Sequence, residues 1–142
     1  MTPTKQSRDE MDASATFRER YGRPASDATR ELERIVIGGD FGANGYTTVE
    51  QAGLLAQRLD LRAGNRLLDV GSGRGWPGLY LAKITGCSVV LIDIPEEGLA
   101  TARRRAAAEG LAERSQAVVS SARRLPFRNE CLDAVVHTDV LC

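Results

Sequence analysis

The chain has 142 residues, and its 19 lysines and arginines balance 19 aspartates and glutamates to a formal net charge of +0. That length suits one core burying roughly 68% of the unfolded chain's surface, and the charge balance supplies no global field to recruit nucleic acid or an anionic membrane. No apolar run approaches a membrane span and residues 1–20 lack a signal-peptide core, so a cytoplasmic domain is expected.

Cys87, Cys131 and Cys142 are odd in number and lack CxxC or Cys/His spacing, which favours reduced thiols over a disulfide framework. His137 is the only histidine and cannot build a metal site with them unaided, so no metal is expected.

In chain order, residues 1–23 are polar, with Phe17 and Tyr21 spaced four apart as anchors. The early part of this segment reads as a loose tail or a short helix. The spacing predicts a helix over 26–37, capped by Ser26 or Asp27, with Leu32, Ile35 and Val36 on one face and Gly38 at its end. Residues 38–46 contain four glycines and one asparagine, a turn-rich connector. Thr47-x-x-Glu50 reads as a capping box, after which Val49, Ala52, Leu55 and Leu59 keep a helical period to Asp60. Residues 1–60 therefore form an N-terminal helical extension.

From Arg66 onward short apolar strands alternate with helices, the pattern of an α/β fold with a parallel sheet covered on both faces. Strands are expected over 67–70, 88–92, 117–120 and 132–136. The first intervening helix runs through Pro77, Leu79, Leu81 and Ile84 to Gly86. The second starts with Pro95 in its first turn beside Glu96 and Glu97, and runs through Leu99, Ala102 and Ala106 to Gly110. Arg103, Arg104 and Arg105 are consecutive, splay over different helix faces, and suit a solvated surface. Trp76 and Tyr80 read as packing residues of the first helix.

The chemistry is concentrated where the first strand ends. Leu67-Leu-Asp-Val-Gly-Ser-Gly-Arg-Gly75 runs an apolar strand into Gly71, Gly73 and Gly75, which permit positive φ and leave no Cβ between main chain and ligand. The helix that follows aims unpaired N–H groups at the same place. Asp93 lies 22 residues after Gly71, at the end of the second apolar run, where a carboxylate can accept both hydroxyls of a ribose. A nicotinamide dinucleotide is disfavoured, because the last glycine of Gly-x-Gly-x-x-Gly would be Trp76.

With Asp69 two residues ahead of three alternate glycines, the chain resembles the class I S-adenosylmethionine-dependent methyltransferases. The resemblance continues through Leu91-Ile-Asp-Ile-Pro, the Ala- and Arg-rich helix, Leu125-Pro-Phe and Asp133-Ala-Val-Val, and covers residues 61–142. It implies a Rossmann-like sheet whose full strand order is 3-2-1-4-5-7-6. This chain supplies only 3-2-1-4, as though truncated after the fourth strand, and residues 132–136 would then be an apolar edge that a homodimer or a partner chain could cover.

The resemblance also implies site roles. Asp69 would lie near the amino group of the methionine moiety, Gly71, Ser72, Gly73 and Gly75 against the cofactor, Asp93 on the ribose, and Ile94 on the adenine. Ser121 and Ala122 stand where related enzymes have Gly-Asp-Ala. A serine hydroxyl there accepts the adenine amino bond without the charge, at a cost on the order of 1 kcal/mol, about fivefold in affinity. Tyr46 and Thr47 would bring hydroxyls near the cofactor carboxylate, or else serve as a packing tyrosine and a helix cap. His137, at the end of the fourth strand, would be a general base for the acceptor or a hydrogen-bonded filler beside Thr138 and Asp139.

The implied reaction is in-line attack by an O, N, C or S atom on an activated methyl group, with a neutral thioether leaving. The segment His137-Thr138-Asp139-Val140 lacks the Asn/Asp-Pro-Pro-aromatic motif of related enzymes that methylate amino groups of nucleobases or protein glutamine. With zero net charge, this favours a small-molecule acceptor. The alternative is a non-catalytic half-domain that needs a partner chain.

Overall fold

The computed structural model describes residues 6–140, so the expectations for Cys142 lie outside the described residues. Helix α1 (Arg8–Gly22), α2 (Asp27–Val36) and α3 (Val49–Arg58) precede the sheet. The sheet then alternates β1 (Arg66–Val70), α4 (Gly78–Thr85), β2 (Ser88–Asp93), α5 (Glu96–Ala108), β3 (Ser115–Val119) and β4 (Ala134–Val136), with a short 3-10 turn at Ala112–Arg114.

All four strands are parallel and lie in the order β3-β2-β1-β4. The chain moves outward from β1 to β3 and then returns to the other side of β1, which opens a crevice beyond the carboxyl ends of β1 and β4. Alternation along each strand sends Leu67, Val89, Leu91, Ala117, Ala134 and Val136 to one face. There they join Leu79, Leu81, Leu99, Ala102 and Leu111 in one core with α4 and α5.

Two strands sit differently from their predicted spans. β3 begins at Ser115, because Ser115 to Val119 pair residue by residue with Val89 to Asp93. β4 begins at Ala134; just before it Asp133 brackets Arg66, donating its N–H to the Arg66 carbonyl at 2.9 Å and accepting the Arg66 N–H on its carboxylate at 2.7 Å.

The N-terminal segment departs further. The loose tail or short helix expected for its early part falls partly on residues 1–5, outside the described residues; from Arg8 the segment is a 15-residue helix with a capping box of its own. Ser7 Oγ accepts from the Glu10 N–H, and Glu10 Oε2 accepts from the Ser7 N–H at 2.8 Å. At the far end Arg74 Nη2 donates to the carbonyls of Arg20, Tyr21 and Arg23. A guanidinium from elsewhere in the chain thus satisfies the carbonyls that a helix C-terminus leaves open.

On α2 the predicted face is inverted. Leu32 and Ile35 are 61% and 73% exposed, whereas Glu33 is 9% exposed and Ile37 is buried. The reason is polar: the Glu33 carboxylate accepts two backbone N–H groups of the connector. The capping box of α3 is shifted by one residue, to Thr48 and Gln51. The Thr47 hydroxyl is already used, donating to Asp139 Oδ2 at 2.9 Å.

Candidate cofactor site

After β1 the backbone turns through Gly71 to Gly75 and folds over the end of β2. The N–H groups of Gly71 and Ser72 both donate to the Ile92 carbonyl, at 2.9 and 3.0 Å. Gly75 has φ +96°, and a Cβ there would come within 2.6 Å of Leu79 Cδ1 and 3.3 Å of Ala102. A side chain is excluded by conformation and by the packing of α4 and α5 against the turn. Gly73 has φ +51°, and a Cβ on it would meet the Tyr21 hydroxyl at 2.8 Å.

Asp93 caps this turn. Its Oδ2 accepts from the Gly73 N–H and its Oδ1 from the Ile94 N–H, both at 2.8 Å. Burial raises its pKa above the ordinary carboxylate value, opposed by those two hydrogen bonds. Each carboxylate oxygen has a second lone-pair direction, so the group that fixes the loop can also accept ligand hydroxyls.

A cavity of about 500 Å³ opens above the turn. Phe17, Arg20 and Tyr21 of α1 form one wall, Gly42 to Tyr46 of the connector a second, and Thr138 to Val140 beyond β4 a third, with Gly71 to Arg74, Trp76 and Asp93 as the floor. Of the residues expected at the site, Tyr46, Gly71, Ser72, Gly73 and Asp93 line this cavity. Ser72 is buried, and its Oγ has no hydrogen-bond partner among the described residues.

The other expected residues stand outside the lining. Asp69 lies buried beneath the loop, where its Oδ2 accepts the Gly78 N–H at 2.8 Å and so ties β1 to the start of α4. Burial without a cationic partner holds its pKa well above the usual carboxylate range. Gly75 is the packed corner of the turn. Ile94 is half-buried just past Asp93. Thr47 faces Asp139, and its carbonyl accepts from Trp76 Nε1 at 3.0 Å. Ser121 hydrogen-bonds Glu10 at the start of α1, and Ala122 is exposed. His137 is exposed directly after β4, and the next three residues line the cavity in its place.

Several wall residues were not expected. The Tyr21 phenol is buried, hydrogen-bonded to Asn44, and pushed up to about 12 by burial and by the nearby Asp93 charge. Its spacing from Phe17 marked it as an anchor; nothing in the sequence marked what it would cover. Trp76, expected only as a packing residue, lies in the cavity floor with its ring stacked on Phe41, centroids 4.1 Å apart. Arg105 does not stay in solvent: it lies over the Phe41 ring at 5.9 Å and donates to the Arg74 carbonyl at 3.4 Å.

A family model described as a methyltransferase domain matches residues 67–142, more than half of the chain. The chain belongs to the class I S-adenosylmethionine-dependent methyltransferases. Methyltransferase GfsG of Streptomyces halstedii is 37% identical to this methyltransferase domain over 81 residues, which is 57% of this chain and 29% of that relative. The 27-O-demethylrifamycin SV methyltransferase of Amycolatopsis mediterranei is 36% identical over 81 residues, covering 57% of this chain and 30% of the relative. A SAM-dependent methyltransferase from Thiobacillus denitrificans, solved in complex with S-adenosyl-L-homocysteine, aligns with a TM-score of 0.62 at 27% identity, over 76% of this chain and 43% of that one. The chain thus spans under a third of the length of these two curated relatives.

S-adenosylmethionine is the cofactor of this family, and the residues of the methyltransferase domain fit it. A strand-end carboxylate with free lone pairs suits ribose hydroxyls. The buried Ser72 hydroxyl, left without a partner, supplies unmet hydrogen-bonding capacity at the cavity floor. Gly71 and Gly73 let the backbone itself form that floor.

Proposed function

We propose that this chain is the cofactor-binding portion of a methyltransferase acting on a small-molecule acceptor, with S-adenosylmethionine in the cavity above the glycine turn. The observation that carries the reading is the geometry of Asp93, which fixes the turn through Gly73 while facing the cavity. In this reading Asp93 accepts the ribose hydroxyls, and the Gly71 to Gly73 backbone and the Ser72 hydroxyl line the nucleoside and methionine path. Tyr46, with Thr47 behind it, closes the methionine end. Gly75 holds the turn's shape, and Asp69 acts from below by fixing the first turn of α4. Ile94, Ser121 and Ala122 border the adenine, with Ser121 exchanging its bond to Glu10 for the adenine amino group. When bound, S-adenosylmethionine supplies an electrophilic methyl group on sulfur, so the protein's work is alignment and exclusion of water. His137, exposed directly after β4 and outside the cavity lining, is in this reading either the base for an acceptor that must lose a proton or a filler beside Thr138 and Asp139.

Zero net charge and the sequence after β4 support a small-molecule acceptor over nucleic acid, as does the name of the rifamycin-methylating relative. No described helix is long and apolar enough to cross a membrane, and a cytoplasmic setting is part of the proposal.

A second reading is a cofactor-binding half-domain that needs a partner chain or a second copy; among the described residues β4 is paired only with β1, and Val135 is 51% exposed.

Calorimetric titration with S-adenosylmethionine and, in parallel, with NAD, after light scattering has fixed the oligomeric state, tests both readings. Micromolar binding of the sulfonium cofactor alone supports the first. A folded chain that binds neither ligand refutes it and leaves the half-domain.

A further inference from the structure

The connector between α2 and α3 is held at two points by carboxylates from opposite ends of the chain. At the first, Glu33 Oε1 accepts the N–H of Phe41 at 2.7 Å and of Ala43 at 2.9 Å. At the second, Asp139 Oδ2 accepts the N–H of Tyr46 at 3.1 Å, the N–H of Thr47 at 3.3 Å and the Thr47 hydroxyl at 2.9 Å. The segment between the two anchors is the cavity wall from Gly42 to Tyr46.

Neither anchor is what its own element would select. Helix α2 exposes Leu32, Ile35 and Val36 and buries a carboxylate instead, an arrangement that costs desolvation unless the charge is well hydrogen-bonded. The two connector N–H groups meet that requirement. Asp139 has φ +56°, in the left-handed region that aspartate enters more readily than most residues, and Gly45 approaches it so closely that a Cβ would lie 2.1 Å from Oδ2. Both features bring a carboxylate against a connector whose apolar hold is Phe41, stacked on Trp76, and each fixes backbone N–H groups that this ring contact leaves unpaired.

We propose that Glu33 and Asp139 are positioning residues that strap the connector across the cavity and thereby set its affinity for S-adenosylmethionine. The proposal rests on the reading of the cavity as the cofactor site. The two anchors act differently: Glu33 ties the wall to α2, whereas Asp139 ties it to the segment leaving β4 and so links the wall to the strand end beside which the acceptor is placed.

The test combines amide hydrogen exchange of the ligand-free full chain with calorimetric titration by S-adenosylmethionine. Glu33→Ala is expected to accelerate exchange at Phe41 and Ala43, and Asp139→Ala at Tyr46 and Thr47, with β1 and β2 amides unchanged. Each is expected to weaken S-adenosylmethionine about tenfold. Glu33→Gln keeps an acceptor oxygen and is expected to restore both readouts to within about threefold of the parent chain; it also serves as the folded comparison should the alanine variant unfold. Unchanged exchange in the alanine variants overturns the strap. Faster exchange with unchanged affinity overturns its role toward the cofactor. A parent chain that binds no S-adenosylmethionine overturns the cofactor reading itself, and exchange then still decides whether the strap exists.

Discussion

Replacing Asp93 by Asn tests the centre of the site with little change in shape. The carboxylate accepts from Gly73 and Ile94, one oxygen to each N–H. An amide keeps one acceptor and turns an NH₂ toward the other donor. One charge-assisted bond is lost, about 1.5–3 kcal/mol, and a buried N–H is left facing a donor. Relief of burying the charge offsets part of this, since burial already raises the Asp93 pKa. The net destabilisation expected is about 1–2 kcal/mol. Binding should suffer more, because both ribose hydroxyls lose their charged acceptor. At about 1.5 kcal/mol each the loss is about 3 kcal/mol, on the order of a 150-fold weaker Kd. Urea unfolding measures the first quantity and calorimetric titration with S-adenosylmethionine the second. An Asn variant that unfolds within a few tenths of a kcal/mol of the parent chain and binds within threefold of it would refute the assignment of Asp93 to both tasks.

Asp69 should give a pH signature. Its pKa is raised in the folded chain, so the native state holds the proton more tightly than the unfolded state; the group's contribution is fully present below the ordinary carboxylate value and is lost as pH rises through the folded value. Asp69→Asn should therefore gain stability relative to the parent as pH rises above the ordinary carboxylate value, and a pH-independent difference in urea unfolding would contradict this. Arg74→Ala removes three carbonyl contacts at the end of α1 and should raise amide exchange across α1 without changing that of β1 and β2; equal protection before and after would count against Arg74 as the clamp. Gly75→Ala places a Cβ 2.6 Å from Leu79 Cδ1 at φ +96°, and conformational strain plus overpacking predict a loss of about 2–4 kcal/mol by denaturant unfolding. A loss below about 1 kcal/mol would show that the turn can relax.

The legible part of this chain was its local chemistry. Between Arg66 and Val136 the alternation of β-rich apolar runs with helical periods gave the strands, the crossovers and the glycine turn, because each depends on residues only a few positions apart. The capping box shows where that reasoning stops. Thr47 with Glu50 and Thr48 with Gln51 are equally good local signals, and the choice fell to Thr48 because Asp139, 92 residues away, takes the Thr47 hydroxyl. Likewise the apolar residues of α2 announced a buried face, but Glu33 is buried in their place to serve the connector.

An acid-tipped parallel sheet with a glycine turn follows from residue order, since backbone conformation and side-chain period are properties of short segments. Which groups face the cavity depends on contacts between distant segments. Asp69 went beneath the loop to Gly78, Ser121 to Glu10, and Thr47 to Asp139, while Tyr21 and Asn44 came to the wall. The physical reason is that buried hydrogen-bonding groups take whichever partner the assembled chain brings within reach, and that partner is set by packing over tens of residues rather than by spacing along the chain.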